Sequence, residues 1–453
     1  MASSGSIFDS LKTLGWIWDI ISEQRRLAKD YRKLQDERLR ALVTHAYENV
    51  DFYHKKYDAA GVTPDDIKSV KDIGKLPMVS KDELRKNSPI IAKNIDPKDC
   101  DIAATSGSTG SPIEIYIEKK SPWALPYPSG IFPKVALSFL KNLGKIKMMT
   151  ILVTPDEAAE TQVVDSIISI PRSRALHIKV IDALEDPRVH LKAMMEYKPA
   201  IITTYPSVLK NLAILCREEG INPPQPNVFP LSAEVLDGHT KKIISEVFKG
   251  DLLNIYGATE AEVIALECTK HQGMHIQYGS VVLELLKDGE PVPPGEPGEV
   301  VVTNLRNRAT PIIRYSGLGD VAVISTKKCS CGNSLPLLER VEGRKADSIV
   351  LSDKSIIHPF NLTLAMEHVP SVAKFQVVQE AVDRVKVLVV VENSQDIKTT
   401  SPFKQGESSW NMIMENLEEL LGGDVSIEIE EVEDIPRSSA GSHTVVRSLI
   451  ERA

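Results

Sequence analysis

From Lys145 onward the chain alternates between short apolar runs of strand length and segments with helical spacing. Met148-Met149-Thr150-Ile151-Leu152-Val153 is a nearly unbroken apolar run, and Arg188 to Tyr197 has a helical pattern. Ile201-Ile202-Thr203-Thr204 is strand-like, and Ser207 is placed to cap a helix from Val208 to Glu219. Leu252 to Tyr256 is another short buried strand. Such alternation predicts a mostly parallel sheet with helices on both faces. Upstream, residues 16–57 predict an amphipathic helix. Leu27, Tyr31, Leu34, Leu39, Leu42, Val43 and Ala46 recur among charged residues. The stripe reads as the core-facing side of a cap, with a partner-binding helix as the alternative. Asp51 to Ser88 reads as short helices and turns punctuated by Pro64 and Pro77.

Past Val281 the pattern becomes that of antiparallel strands. Glu299 to Thr303 and Val321 to Ser325 are strands, with a turn-rich Pro291 to Pro297 ahead of them. The texture changes again after Gly343-Arg344. Phe375 to Val378 and Val385 to Val391 predict a hairpin around Asp383-Arg384. A helix over Ser409 to Leu421 and an edge strand over Val425 to Ile429 complete a small α+β unit. The fold class is therefore α/β. A large, multi-part N-terminal domain (residues 1–346) combines mainly parallel sheet with an antiparallel region, and a small α+β domain (347–453) follows.

Composition narrows this picture without redirecting it. At 453 residues the chain is too long for one ordinary core. A formal charge of −8 argues against a nucleic-acid partner held by net attraction. No apolar run approaches the ~20 residues of a membrane span, and Met1 to Ser10 carries no basic stretch leading into an apolar one. Five cysteines in a chain this long do not make a disulfide framework, so a cytoplasmic setting is the expectation.

The chemistry concentrates in a few polar stretches. Thr105-Ser106-Gly107-Ser108-Thr109-Gly110-Ser111-Pro112 offers hydroxyls, backbone N–H groups and glycines to a polyanion. Composition alone fits a Ser/Gly-rich surface hairpin as well, and no Gly-Lys-Ser/Thr follows as in a Walker A loop. Ser232-Ala233-Glu234 and Tyr256-Gly257-Ala258-Thr259-Glu260 fall where strands should end, which is where open α/β sheets bind ligands. An aromatic ring, a glycine, a hydroxyl and a carboxylate can together stack on a base, admit a phosphate and hold a cation. Glu260 is a candidate Mg²⁺ ligand. Asp320 is placed to accept two ribose hydroxyls, or equally to cap a turn.

In this order the motifs resemble the adenylate-forming superfamily and, within it, the phenylacetate–CoA ligase-like family. The likeness runs over nearly the whole chain. It implies that residues 105–110 grip phosphate, and that Ser232, Ala233, Glu234 and Tyr256 to Glu260 form the adenine, phosphate and metal segments. Pro311 to Tyr315 with Asp320 would bind ribose, and Gly343 to Asp347 would be the hinge of a mobile C-terminal lid, with Asp347 as its pivot and Arg344 beside the nucleotide. Thr109, Glu260 and Arg437 take catalytic roles. The implied reaction joins a carboxylic acid to AMP using ATP and Mg²⁺, then passes the acyl group to coenzyme A. A homodimer is compatible with this reading. One position departs from the family: Ile435 to Gly441 matches its closing segment, but Ser442 stands where the family has a lysine. Two alternatives follow. In one, AMP goes to a non-carboxylate such as the phenolic hydroxyl of a deazaflavin coenzyme, as in some relatives; in the other, the chain binds nucleotide without catalysis.

Cys268, His275, Cys329 and Cys331 form two short-spaced clusters that suit a structural, tetrahedral Zn²⁺, with His271 as the alternate nitrogen ligand. Cys100 and Cys216 read as ordinary buried thiols. Trp123, Tyr127, Phe132, Tyr205 and Pro206 lie in stretches suited to an acyl pocket, although aromatics are more often core.

Overall fold

The computed structural model describes residues 26, 29–104, 113–118, 146–153, 176–333, 335–366, 369, 372–391, 407–435 and 444–450. The phosphate-loop candidate at 105–112, the aromatics Trp123, Tyr127 and Phe132, and the closing segment with Arg437 and Ser442 lie outside them.

The N-terminal amphipathic stretch forms two helices. Helix α1 (29–49) buries Leu34, Leu39, Leu42, Val43 and Ala46. The chain turns extended at Val50, with φ −129° and ψ 108°, and α2 (Asp51–Ala60) ends on a left-handed Gly61. The break re-aims Tyr53 and Tyr57 into the core, where both are fully buried. The Tyr53 hydroxyl donates to the Pro311 carbonyl at 2.9 Å and accepts from the Ile313 N–H at 3.1 Å. The Gln35 side chain donates to the Val281 carbonyl. These helices therefore cap the antiparallel region. The short helix α3 (Lys81–Lys86) starts at Ser80, whose hydroxyl accepts from the Glu83 N–H while the Glu83 carboxylate reaches back.

Strands β1 (Cys100–Ala104) and β2 (Glu114–Glu118) form an antiparallel pair flanking residues 105–112. One large sheet then runs through the N-terminal part, with thirteen strands among the described residues. Its parallel portion is β3 (Ile146–Leu152), β4 (Leu176–Asp182), β5 (Ile201–Thr204), β6 (Val228–Ser232) and β7 (Asp251–Ala258), in the order β4-β3-β5-β6-β7. Helices α4 (Pro187–Tyr197), α5 (Pro206–Glu218) and α6 (Gly238–Val247) connect them. Their apolar faces meet Met149, Ile151, Ile202, Phe229 and Leu231 in one core. Cys216 is buried on α5, and Cys100 is also buried. Helix α5 begins two residues earlier than Ser207 capping would require. Pro206 occupies its first turn, where a missing N–H costs nothing, and Tyr205 sits at the cap with no side-chain cap bond.

Beyond β7 every neighbour in the large sheet is antiparallel. The strands are β8 (Glu262–Glu267), β9 (Met274–Ile276), β10 (Val281–Lys287), β11 (Glu290–Pro291), β12 (Pro297–Asn304), β13 (Ile312–Tyr315), β14 (Asp320–Ile324) and β15 (Leu337–Arg344). Their order from β7 is β8-β9-β15-β14-β12-β10-β11, with β13 alongside β12. Strand β15 matters most for the site. Its first residue, Leu337, pairs with His275 on β9, and its last, Arg344, pairs with Asp320 on β14.

The C-terminal part begins with the two-residue strands β16 (Ile349–Val350) and β17 (Ile356–Ile357), then α7 (Pro359–Met366). Strands β18 (Val372–Ala381) and β19 (Arg384–Val391) form the predicted hairpin. After α8 (Glu407–Leu421), β20 (Ser426–Glu431) adds parallel to β19 at the sheet edge, and β21 (Val446–Ser448) adds parallel to β18. The unit has its own core, built on Val377, Val385, Val387, Leu362, Ile413 and Leu417. No helix among the described residues is long and apolar enough to cross a membrane.

Candidate functional site

Tyr256, near the end of β7, sends its hydroxyl 2.7 Å to Asp320 Oδ2 at the start of β14. The Arg344 guanidinium lies 4.0 Å from Asp320 Oδ1. Asp320 is held above the ordinary carboxyl range, first by burial and then by the charges of Asp347 and Glu260, with the Tyr256 hydroxyl and Arg344 pulling the other way. The Tyr256 phenol is pushed up by burial and by Asp320. Asp347 belongs to the single helical turn Lys345–Asp347 that follows β15, and the Lys345 N–H donates to the Gly319 carbonyl at 2.8 Å. Five side chains from three stretches of the chain, Tyr256, Glu260, Asp320, Arg344 and Asp347, thus form one electrostatic group.

Glu260 sits in the turn between β7 and β8, closed by the Ala261 N–H donating to the Ala258 carbonyl at 3.1 Å. Gly257 makes this hairpin possible, since a Cβ there would lie 2.4 Å from the Glu262 carbonyl oxygen. Glu260 is buried, and its Oε1 accepts a 3.0 Å bond from the Tyr315 hydroxyl. Among the described residues Oε2 accepts no hydrogen bond. A buried carboxylate with one oxygen held and one open fits a hard divalent cation such as Mg²⁺, which takes one or two carboxylates plus phosphate oxygens. Next to it, Arg306 is almost fully buried and pairs with Glu262 at 2.8 Å.

Glu234 follows β6 after Ala233, which holds a left-handed φ of 67°. Its carboxylate takes both the N–H (2.8 Å) and the hydroxyl (2.9 Å) of Ser207. Ser207 therefore ties the start of α5 to the loop after β6, a role the sequence gives no sign of. Tyr205 is buried in the core of the parallel region, and Pro206 lines a cavity of about 110 Å³ shared with Met366, Lys374 and Phe375 of the C-terminal part. The bond from Tyr315, a residue of the expected ribose-binding stretch, to Glu260 was not legible, because the two lie fifty-five positions apart in the chain.

The cysteine cluster lies along the same sheet. Cys268 follows β8, His275 is on β9, and Cys329 and Cys331 precede β15. The four ligand atoms all lie within 4.8 Å of one another. Cys268 Sγ is 3.5 Å from Cys329 Sγ, and Cys331 Sγ is 3.4 Å from His275 Nε2. A tetrahedral zinc with Zn–S bonds of about 2.3 Å separates its ligands by roughly 3.8 Å, so the set fits. Backbone N–H groups two residues on, from Lys270 and Asn333, each approach a sulfur at 3.4 Å. Burial pushes the Cys268 thiol up, and the Cys329 and Cys331 sulfurs add to the shift. His271 points elsewhere: its Nδ1 lies 3.1 Å from Glu267.

Residues 349–448 match the family model described as CapK C-terminal domain. The chain is 26% identical over 349 residues to phenylacetate–coenzyme A ligase of Thermus thermophilus, covering 75% of this chain and 76% of that one. It is 23% identical to protein CapK of Staphylococcus aureus over 388 residues, covering 82% and 81%. Among solved structures, 2-hydroxyisobutyryl-CoA ligase in its postadenylation state, in complex with an acyl-AMP, superposes with a TM-score of 0.71 at 19% identity, covering 91% of this chain and 88% of that one. Relatives and fold thus point the same way as the motif order: the chain is similar in sequence to phenylacetate–coenzyme A ligases and has the fold of an acyl-CoA ligase.

Proposed function

We propose that this chain is an AMP-forming acyl-CoA ligase that activates a carboxylic acid with ATP. The observation that supports the reading is the meeting of Tyr256, Glu260, Asp320 and Arg344 around one point at the strand ends, in a chain whose relatives are named phenylacetate–coenzyme A ligases.

In this reading a carboxylate oxygen of the acid bonds to the α-phosphorus of ATP, and the bond to pyrophosphate breaks. The thiolate of coenzyme A then bonds to the acyl carbon, and AMP leaves with the electron pair. Catalysis is mainly positioning and charge neutralisation. Asp320 accepts the ribose hydroxyls, and Tyr256 and the Ser232 to Glu234 loop flank the base. Phosphate binding is assigned to the hydroxyls of residues 105–110, Thr109 among them, and to Arg437, all outside the described residues. When bound, Mg²⁺ at Glu260 supplies positive charge to the phosphate oxygens. The C-terminal unit turns about Asp347 as a lid between the two half-reactions. The Cys268, His275, Cys329 and Cys331 set holds zinc in a structural role, with all four positions filled by protein.

The test is pyrophosphate release from ATP with a panel of aliphatic and aryl acids, followed by thioester formation with coenzyme A. Release with at least one acid is expected, at a low rate because Ser442 brings no charge to the transition state. Ser442→Lys is expected to raise that rate by on the order of 10²-fold, the scale of one transition-state contact. No release with any acid, alongside intact ATP binding, would leave a non-catalytic nucleotide-binding protein.

A further inference from the structure

We propose that Tyr315 is the positioning residue for Glu260, its hydroxyl fixing one carboxylate oxygen so that the other is presented to the divalent cation of a bound nucleotide. This rests on the reading of Glu260 as the cation's protein ligand.

Tyr315 is fully buried, and its backbone is clamped from two sides. Tyr315 pairs with Val302 of β12 on one side, and on the other the Val79 N–H donates to the Arg314 carbonyl at 2.9 Å while the Ser316 N–H donates to the Val79 carbonyl at 3.0 Å. The preceding Arg314 is tied by its guanidinium to Glu284 and to the carbonyls of Gly74 and Leu76. The following chain folds over the ring. A Cβ on Gly317 would lie 2.4 Å from both Cζ and the hydroxyl oxygen of Tyr315, so only glycine lets the backbone pass this close. The phenol is thus a donor of fixed position. The Glu260 main chain is fixed as well, its carbonyl accepting from the Asn304 side chain at 3.3 Å. With backbone and Oε1 both held, the carboxylate has one orientation, and Oε2 is the oxygen left for a ligand. A carboxylate preordered in this way binds a cation without first giving up rotamer freedom.

The experiment uses the full-length protein with Mn²⁺ in place of Mg²⁺. Mn²⁺ affinity for the ATP complex is read from the free-Mn²⁺ electron paramagnetic resonance signal, and ATP affinity is measured separately in chelator. Tyr315→Phe is expected to weaken Mn²⁺ about tenfold or more, the scale of a lost bond to a charged group, with cation-free ATP affinity changed less than twofold. A general packing defect would move both. Glu260→Gln should also weaken Mn²⁺, and adding Tyr315→Phe to it should cost nothing further. Unchanged Mn²⁺ affinity in Tyr315→Phe, or full additivity in the double variant, overturns the proposal. Should Tyr315→Phe not fold, 3-fluorotyrosine placed at 315 keeps shape and hydroxyl. Its fluorine resonance should broaden with Mn²⁺ and ATP, and a sharp line would overturn the proposal. Wild-type protein that binds no Mn²⁺–ATP at all would remove the reading of the nucleotide site itself, a result distinct from an indifferent Tyr315.

Discussion

Asp320→Asn is expected to weaken ATP and AMP binding by roughly 10²-fold without lowering the stability of the free protein. The first half follows from losing two charge-assisted bonds to ribose hydroxyls, about 3 kcal/mol together. The second follows from the environment of the carboxylate. Burial comes first among the causes that raise Asp320, with the charges of Asp347 and Glu260 behind it. A carboxyl raised in the folded state binds its proton more tightly there than in the unfolded chain. Its contribution to stability is therefore complete below the ordinary carboxyl range and is lost as pH rises through the raised value. At neutral pH the ionised group is a net cost to the empty site. Asparagine removes the charge and keeps an acceptor for the Tyr256 hydroxyl. Thermal melts of both proteins from pH 4 to 8 should show the variant level with or above the parent at pH 7, with the gap closing toward pH 4. A variant several degrees less stable at pH 7 would contradict this account, and unchanged nucleotide affinity would remove Asp320 from the ribose.

The second large effect is expected at the sulfur cluster. The purified protein should carry about one zinc per chain, and Cys329→Ser should lose it. Loss of a structural metal belongs to the small class of changes that exceed about 4 kcal/mol, so melting should fall by on the order of 10 °C. Chelation of the unmutated protein should do the same, reversibly on adding zinc back. His271→Ala should change neither zinc content nor melting by much, because that ring faces Glu267. Metal analysis returning near zero for the unmutated protein ends the assignment.

Much of the architecture was legible from alternation alone. The apolar runs that became β3 and β5 are buried on both faces, so they carry no competing helical period, and in β7 the adjacent Leu252 and Leu253 are both buried. The hairpin of β18 and β19 was equally clear, because β-branched residues flank a polar turn. Local pattern failed where the answer lay in a distant partner. Nothing near Val50 announces that the first helix must bend, since the bend serves Tyr53, whose hydroxyl bonds Pro311 and Ile313. Ser207 has the composition of a cap, yet Pro206 takes the first turn and Glu234 claims both Ser207 donors. The Glu260 and Asp320 motifs were visible as motifs. The bonds that Tyr315 and Tyr256 make to these carboxylates were not, because the partners lie fifty-five and sixty-four positions away in the chain.

Strand β15 carries a mechanical consequence. Eight residues long, it spans roughly 23 Å at a strand's rise of about 3.3 Å per residue. One end is stitched to His275 and the other to Asp320, just before the chain leaves for its final domain. It is a tie-rod between the cysteines and the acid beside Arg344. Slack introduced at the sulfur end has a direct hydrogen-bonded route to the far anchor, and a protein stripped of its metal should grip adenosine less firmly though no nucleotide contact has been touched.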